Sequence, residues 1–127
     1  MKPTYEDAHI LLELAHMWPG CELDWVWSDE FIPDYQELIE KCGRTSEEWG
    51  TVRLVCGYFE MVGTLYKYGL INEDLLFDWA AVAPIWDRVK GFALGWREEM
   101  GMAALYENFE AMAEANRRWL GERGVEG

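Results

Sequence analysis

Basic residues are scarce in this chain of 127 residues. There are 11 Lys and Arg against 24 Asp and Glu, which gives a formal net charge of -13 at pH 7. Proteins that bind nucleic acid or an anionic membrane neutralise phosphates with clustered Lys and Arg. The scarcity therefore argues against direct contact with either. Residues 1–64 hold 13 acidic and 4 basic residues, a balance of -9, so the N-terminal half is the more acidic one.

Cysteine pairs and long apolar runs are also missing. The three cysteines, Cys21, Cys42 and Cys56, are widely spaced and form no CxxC motif, which is typical of free thiols in a reducing cytosol. No apolar run approaches the roughly 20 residues that span a bilayer, and acidic residues interrupt the place where a signal peptide would be apolar. We therefore expect a soluble, cytoplasmic protein that does not contact membranes.

Common catalytic motifs are absent as well. The chain contains no GxGxxG, no phosphate-binding GKS or GKT, no GxSxG and no HExxH. No cofactor is implied. An enzyme is the less favoured class, although catalytic sites are often assembled from distant positions.

What the chain does contain is helical periodicity. The segment Thr45–Tyr68 has apolar residues at steps of three and four, among them Trp49 and Phe59, which predicts a long central helix packed on more than one side. Thr45 is its predicted N-cap, and Gly69 is its predicted C-terminal stop.

Further helices are predicted before and after this segment. They cover residues 3–17, 34–42, 73 to the break at Pro84, 84–100 and 102–120. No strand-like alternation occurs. We predict an all-α fold, an irregular antiparallel bundle of four main helices, formed by a single domain over residues 1–120 with a frayed tail over residues 121–127.

Residues 18–33 interrupt the helical pattern with interleaved aromatic and acidic side chains, and we predict a Trp-rich loop there. Two interpretations remain open: a lid whose aromatic residues close one end of the bundle, or a contact surface for a partner. The residues of the candidate contact surface are Trp18, Trp25, Trp27, Asp24, Asp29 and Glu30.

A candidate metal site lies on the first predicted helix, where His9, Glu13 and His16 share one face. Two imidazoles and a carboxylate can hold one zinc or iron ion. Di-iron bundles draw their Glu-x-x-His motifs from different helices, whereas all three residues here come from one helix. The alternative is that both histidines form local hydrogen bonds at the edge of the packed face.

Glu60 lies in the middle of the most apolar helix, where an unpaired carboxylate would be costly. A partner is therefore expected, with Arg97 or Arg53 as the candidates, and we predict a structural ion pair between Glu60 and Arg97. A catalytic base is the alternative, but no nucleophile or second acid is evident in the pattern.

Two further contacts are predicted from spacing. Glu114 and Arg118 form an i,i+4 pair in the favourable orientation, which indicates a solvated face. Glycines inside helices are costly, and small residues at regular spacing let helix backbones approach closely. The pair at positions 50 and 57 is therefore predicted to face the pair at positions 91 and 95 in one tight crossing.

The second half of the chain resembles a bacterial family of small helical proteins, domain of unknown function 4760, over roughly residues 45–120. The resemblance implies a helical fold and no activity. The Trp-rich segment at residues 18–27 is not part of the pattern, so we expect any individual function there. The residues that carry the resemblance are Phe59-Glu60, Gly63, Gly69-Leu70-Ile71, Asp74-Leu75, Asp78, Trp86, Arg97 and Asn108-Phe109-Glu110.

Three functional hypotheses follow. The first is a non-enzymatic interaction or structural module that binds a protein partner or a second copy of itself, since eight tryptophans exceed what a core of this size obviously needs. The second is a metal-dependent enzyme or sensor. The third is an inhibitor that imitates nucleic acid, whose phosphate-like carboxylates would be those of Glu22, Asp24, Asp29, Glu30, Asp34, Glu37, Glu40, Glu47 and Glu48.

Overall fold

The computed structural model describes residues 2–124, and within that range it contains seven α-helices and no strand. The all-α prediction is confirmed for these residues. Of the predicted frayed tail, residues 121–122 still belong to the last helix, and residues 125–127 lie outside the described range. The helices are α1 (Tyr5–His16), α2 (Gly20–Val26), α3 (Tyr35–Lys41), α4 (Glu47–Lys67), α5 (Glu73–Trp79), α6 (Val82–Met100) and α7 (Glu107–Glu122).

Four helices begin at a residue that caps its own helix. Thr4 and Asp7 form a capping box at the start of α1, and Asp34 and Asn72 cap α3 and α5. The cap of α4 is Ser46 rather than the predicted Thr45, because the Ser46 hydroxyl accepts a hydrogen bond from the Trp49 amide at 3.1 Å. Each cap satisfies a backbone donor that the first turn leaves free.

Glycines end several of these segments. Gly69 follows α4 in the left-handed conformation, with φ of 69°, and Gly101 ends α6 with φ of 62°. A side chain at such a φ would be strained, so both positions favour glycine. Pro84 is the third residue of α6 and lies in its first turn, where the missing amide hydrogen is harmless.

The core forms around α4, whose residues Val52, Val55 and Phe59 are fully buried. This helix packs chiefly on α7, and α7 also packs on α6. The helices α4, α6 and α7 pack on one another, and α1 contributes Leu14 to the core. Burial of each aliphatic or aromatic side chain of this kind stabilises the folded state by about 1.5–3 kcal/mol.

The predicted antiparallel arrangement does not hold for α4 and α7. Glu60, in the middle of α4, contacts Asn108 at the start of α7. Tyr66, near the end of α4, lies close to Arg118 near the end of α7. The two helices therefore run in the same direction.

The last predicted helix, residues 102–120, begins later than expected. Residues 101–106 form turns, and α7 starts at Glu107. Tyr106 has a φ of 59°, an uncommon conformation for a residue with a side chain. The Arg97 guanidinium binds the Leu105 carbonyl at 2.9 Å and holds this turn against the end of α6.

The predicted glycine crossing is wrong. Gly50 and Gly57 are exposed, and nothing lies within 4 Å of the position of an added Cβ. Gly91 and Gly95 instead make room for residues 33–35, which lead into α3. The close approach to α7 is made by Gly63, where an added Cβ would lie 2.5 Å from the Asn108 carbonyl oxygen.

Candidate functional site

The segment predicted as a Trp-rich loop contains a helix. α2 spans Gly20–Val26 and buries Leu23 and Val26, which face the centre of the bundle. These two residues are three apart, so a single turn of helix places both on one side. The sequence did not predict α2 because this short helix buries only Leu23 and Val26, and two apolar positions are too few to show a helical period among polar and aromatic residues.

The three tryptophans of this segment have different surroundings. Trp18 keeps 36 % of its surface exposed, but its ring packs edge-on against Phe59 and Trp79, with centroids 5.6 and 5.0 Å away. Trp25 packs edge-on against Phe31 at 5.2 Å. Trp27 is 52 % exposed. The first two side chains behave as a lid on the core, and the third faces solvent.

Arg88 of α6 fixes the position of Trp27. Its guanidinium donates to the carbonyls of Val26 at 2.7 Å and of Ser28 at 3.0 Å, and it lies over the rings of Trp27 and Phe31 at 5.9 and 5.0 Å. The Val26 carbonyl belongs to the last turn of α2, where carbonyls lack partners within the helix. The backbone on both sides of Trp27 is therefore held by a charged side chain from a neighbouring helix.

Three exposed carboxylates surround this indole in the sequence: Asp24, Asp29 and Glu30. Among residues 2–124, none of the three forms an ion pair. We call Trp27 and these three acids the acidic Trp27 surface. An exposed aromatic residue with unpaired acids within three positions of it along the chain can accept a basic and apolar partner.

The predicted metal site is not supported by the geometry. His9, Glu13 and His16 are all exposed. In the described part of the chain, no three His, Cys, Asp or Glu side chains are arranged to hold a metal ion. These three side chains lie on one surface helix, and no neighbouring helix supplies the further ligands that a metal ion would need among the described residues.

The cysteines do not provide a nucleophile that the geometry activates. All three are free, with Cys21 exposed, Cys42 half-buried and Cys56 buried. Burial raises the pKa of the Cys56 thiol, which disfavours the reactive thiolate. Desolvation likewise raises the pKa of the half-buried Cys42 thiol. Neither thiol lies in the electropositive setting that reactive cysteines need.

Glu60 does not pair with Arg97 as predicted. Its carboxylate oxygen Oε1 accepts hydrogen bonds from the backbone amides of Asn108 and Phe109, both at 3.0 Å. Arg97 binds Glu110 at 2.9 Å instead. Glu60 has thus found a partner that a search for opposite charges overlooks, namely the free amides at the start of a helix.

Glu60 acts as the N-cap of α7 from another helix. The residue at the N-cap position, Tyr106, provides no side-chain hydrogen bond. A carboxylate at this end also complements the helix dipole. Thr64 adds a further link, since its hydroxyl accepts from the Asn108 amide side chain at 3.2 Å.

α6 is capped remotely in the same way. Its N-cap position, Ala81, has no side chain that can accept, and the Ala83 amide donates to the Asn116 side chain of α7 at 2.8 Å. Asn116 is fully buried and is the single buried polar residue among those described. Sequence analysis missed it, although the lack of Ser, Thr, Asp or Asn before α6 was a signal that another segment supplies the cap.

Family comparison gives the chain a place among known proteins. The profile of the family described as Domain of unknown function (DUF4760) matches residues 22–119. The chain belongs to this family. The DUF4760 match begins inside α2, earlier than the predicted start near residue 45, so it includes Trp25 and Trp27. No curated protein and no solved structure gives a significant match.

Several of the residues on which the DUF4760 resemblance depends gather at one place in the structure. Glu60, Gly63, Asn108 and Phe109 meet where α4 crosses the start of α7. Arg97 joins the same junction through Glu110. These residues therefore fix the contact between α4 and the start of α7. No helix in residues 2–124 is long and apolar enough to cross a membrane.

Proposed function

We propose that this protein is a non-enzymatic protein-interaction module that uses the acidic Trp27 surface to bind a basic partner protein. The observation that carries the proposal is Trp27 itself. Trp27 is 52 % exposed, yet Arg88 holds the backbone on both sides of it and lies 5.9 Å from the centre of its ring. Tryptophans fixed in this way are favoured anchors of protein interfaces.

The surrounding charges support a basic partner. Asp24, Asp29 and Glu30 are exposed and form no ion pair with the described residues. A partner that carries Lys or Arg would steer towards them and would gain most at low salt. The contact should therefore combine one apolar anchor with a salt-sensitive rim.

The test is quantitative affinity capture from cells that express the protein, at low and high salt, with mass spectrometry as the readout. The wild type is compared with Trp27→Ala and with Asp24→Asn/Asp29→Asn/Glu30→Gln. A true anchor contributes about 2 kcal/mol or more, so Trp27→Ala should reduce capture of the partner at least tenfold. The triple variant should remove the salt dependence.

The matched control is Leu12→Ala, which truncates another exposed apolar residue, 66 % accessible, on α1. Capture should be unchanged in this variant. Equal capture by wild type, Trp27→Ala and Leu12→Ala would show that the acidic Trp27 surface is not the contact surface. Thermal melting of each variant confirms that the fold is retained.

Two kinds of partner are distinguished by further measurements. A second copy of the chain would appear in light scattering as a dimer that Trp27→Ala converts to a monomer. A nucleic-acid-binding protein would be displaced by added DNA, as expected if the acids imitate phosphates. Glu47 and Glu48 lie in one surface depression with Glu30, which extends the acidic surface and supports this second candidate.

A further inference from the structure

A groove of about 450 Å³ runs between the second half of α4 and the first three turns of α7, on a different part of the molecule from the acidic Trp27 surface. Its volume falls within the range that ligand sites occupy, roughly 300–1,000 Å³. The groove exists because small residues line it: Gly63 on α4, and Ala111 and Ala115 on α7. Met112 completes an apolar floor.

Two basic side chains, Lys67 and Arg118, also line the groove. Six of the eleven basic residues of the chain pair with carboxylates, but neither of these two does so within the described range. Lys67 lies only over the Tyr68 ring, at 5.6 Å. In a chain with net charge -13, two cations without an acidic partner converge on one groove.

Arg118 was predicted to pair with Glu114, and that prediction is wrong. Glu114 lies 3.9 Å from Arg117 instead, and Arg117 is held by Asp87 at 2.8 Å. Arg117 therefore pairs with both nearby acids, Asp87 and Glu114. Arg118 is left exposed at the groove, where its fork of donors can face a ligand.

The acids nearest the groove do not neutralise these cations. Glu107 lines the opposite end, eleven residues before Arg118 on the same helix, which corresponds to about 16 Å. Glu73 does not line the groove; it accepts a hydrogen bond from the Tyr66 hydroxyl at 2.9 Å and forms no ion pair with the described residues. The end of the groove between Lys67 and Arg118 is thus the positive one.

We propose that this groove binds a small amphiphilic monocarboxylate. The carboxylate lies between Lys67 and Arg118, where an arginine fork and an ammonium group can both donate to it. The apolar chain lies along Ala111 and Ala115 towards Met112. The proposal does not depend on the acidic Trp27 surface.

The experiment is an NMR titration of the full chain with octanoate, well below the concentration at which it forms micelles. Saturable shifts should appear at the amides of Gly63, Ala111 and Ala115. Octanol, which has the same apolar chain and no charge, should bind at least tenfold more weakly. Ala111→Leu, at an exposed position of the groove, should also weaken octanoate binding by filling its floor.

Charge variants separate this site from general attraction. Lys67→Gln/Arg118→Gln should weaken octanoate binding at least tenfold. The matched control is Lys2→Gln/Arg53→Gln, which removes two cations that also form no ion pair with residues 2–124 and lie outside the groove. It should change binding less than twofold. Equal effects of the two double variants, shifts spread over the surface, or no saturable binding would overturn the proposal.

Discussion

The helices of this protein begin in two different ways. α1, α3, α4 and α5 each start at a Ser, Thr, Asp or Asn whose own side chain caps the first turn. α6 and α7 start at Ala81 and Tyr106 and receive their caps from Asn116 and Glu60, residues far away in sequence. A local cap stabilises one helix alone, whereas a remote cap also fixes the position of one helix against another.

Among the caps, removal of the Glu60 carboxylate should lower the free energy of unfolding the most. Glu60→Ala leaves the amides of Asn108 and Phe109 without their acceptor. Because hydrogen bonds to a charged group contribute about 1.5–3 kcal/mol, we expect a loss of about 3 kcal/mol in the free energy of unfolding. Urea denaturation measures it. Glu107→Ala, which removes an exposed acid from the first turn of α7, should cost less than 1 kcal/mol.

Gly63→Ala should come next, because it keeps the cap but blocks the approach that lets Glu60 reach α7. The new Cβ would lie 2.5 Å from the Asn108 carbonyl oxygen, so a backbone must move. We expect a loss of about 2 kcal/mol. Gly57→Ala, at an open position of the same helix, should instead gain up to about 1 kcal/mol. Similar melting temperatures for the two variants would show that the close approach is unimportant.

Asn116→Ala removes the other remote cap and should cost about 1.5 kcal/mol. The Ala83 amide loses its acceptor inside the core, which costs about 1–3 kcal/mol. Part of this cost is offset because the Asn116 side-chain nitrogen has no partner in the native state. Urea denaturation of wild type and variant measures this difference in the free energy of unfolding. A stabilised variant would mean that the unpartnered nitrogen costs more than the cap contributes.

Loss of a local cap should have the smallest effect. Ser46→Ala removes the acceptor for the Trp49 amide, and typical caps of this kind contribute about 1 kcal/mol. The variant should keep every contact between α4 and its neighbours. If Ser46→Ala destabilised the protein as strongly as Glu60→Ala, the distinction between local and remote caps would have no energetic basis.

The same distinction explains how much of the fold could be predicted. Several helix ends are marked by a residue within the local sequence, and those boundaries were predicted to within about two residues. The marking residues are Thr4, Asp34, Asn72 and Gly69. The start of α7 was predicted five residues too early. No residue near Met102 indicates that the helix begins only where the Glu60 carboxylate binds its first-turn amides. Boundaries set by distant residues are not encoded in the local pattern.

The candidate sites divide in the same way. Trp27 and its neighbouring acids could be found from sequence, because an aromatic residue among charges is visible as a pattern. Its anchor, Arg88, could not be found, since it comes from α6 and binds backbone carbonyls that carry no sequence signal. The prediction for Glu60 identified the right residue and the wrong partner, because it considered only side-chain charges.

Amide hydrogen exchange of α7 tests the central claim most directly, that a carboxylate on α4 holds the start of this helix. In the wild type, the amides of Asn108 and Phe109 should exchange slowly. In Glu60→Ala they should exchange at least tenfold faster, while the Trp49 and Leu75 amides, bound by the local caps Ser46 and Asn72, should not change. Unchanged protection of Asn108 and Phe109 in the variant would contradict the claim.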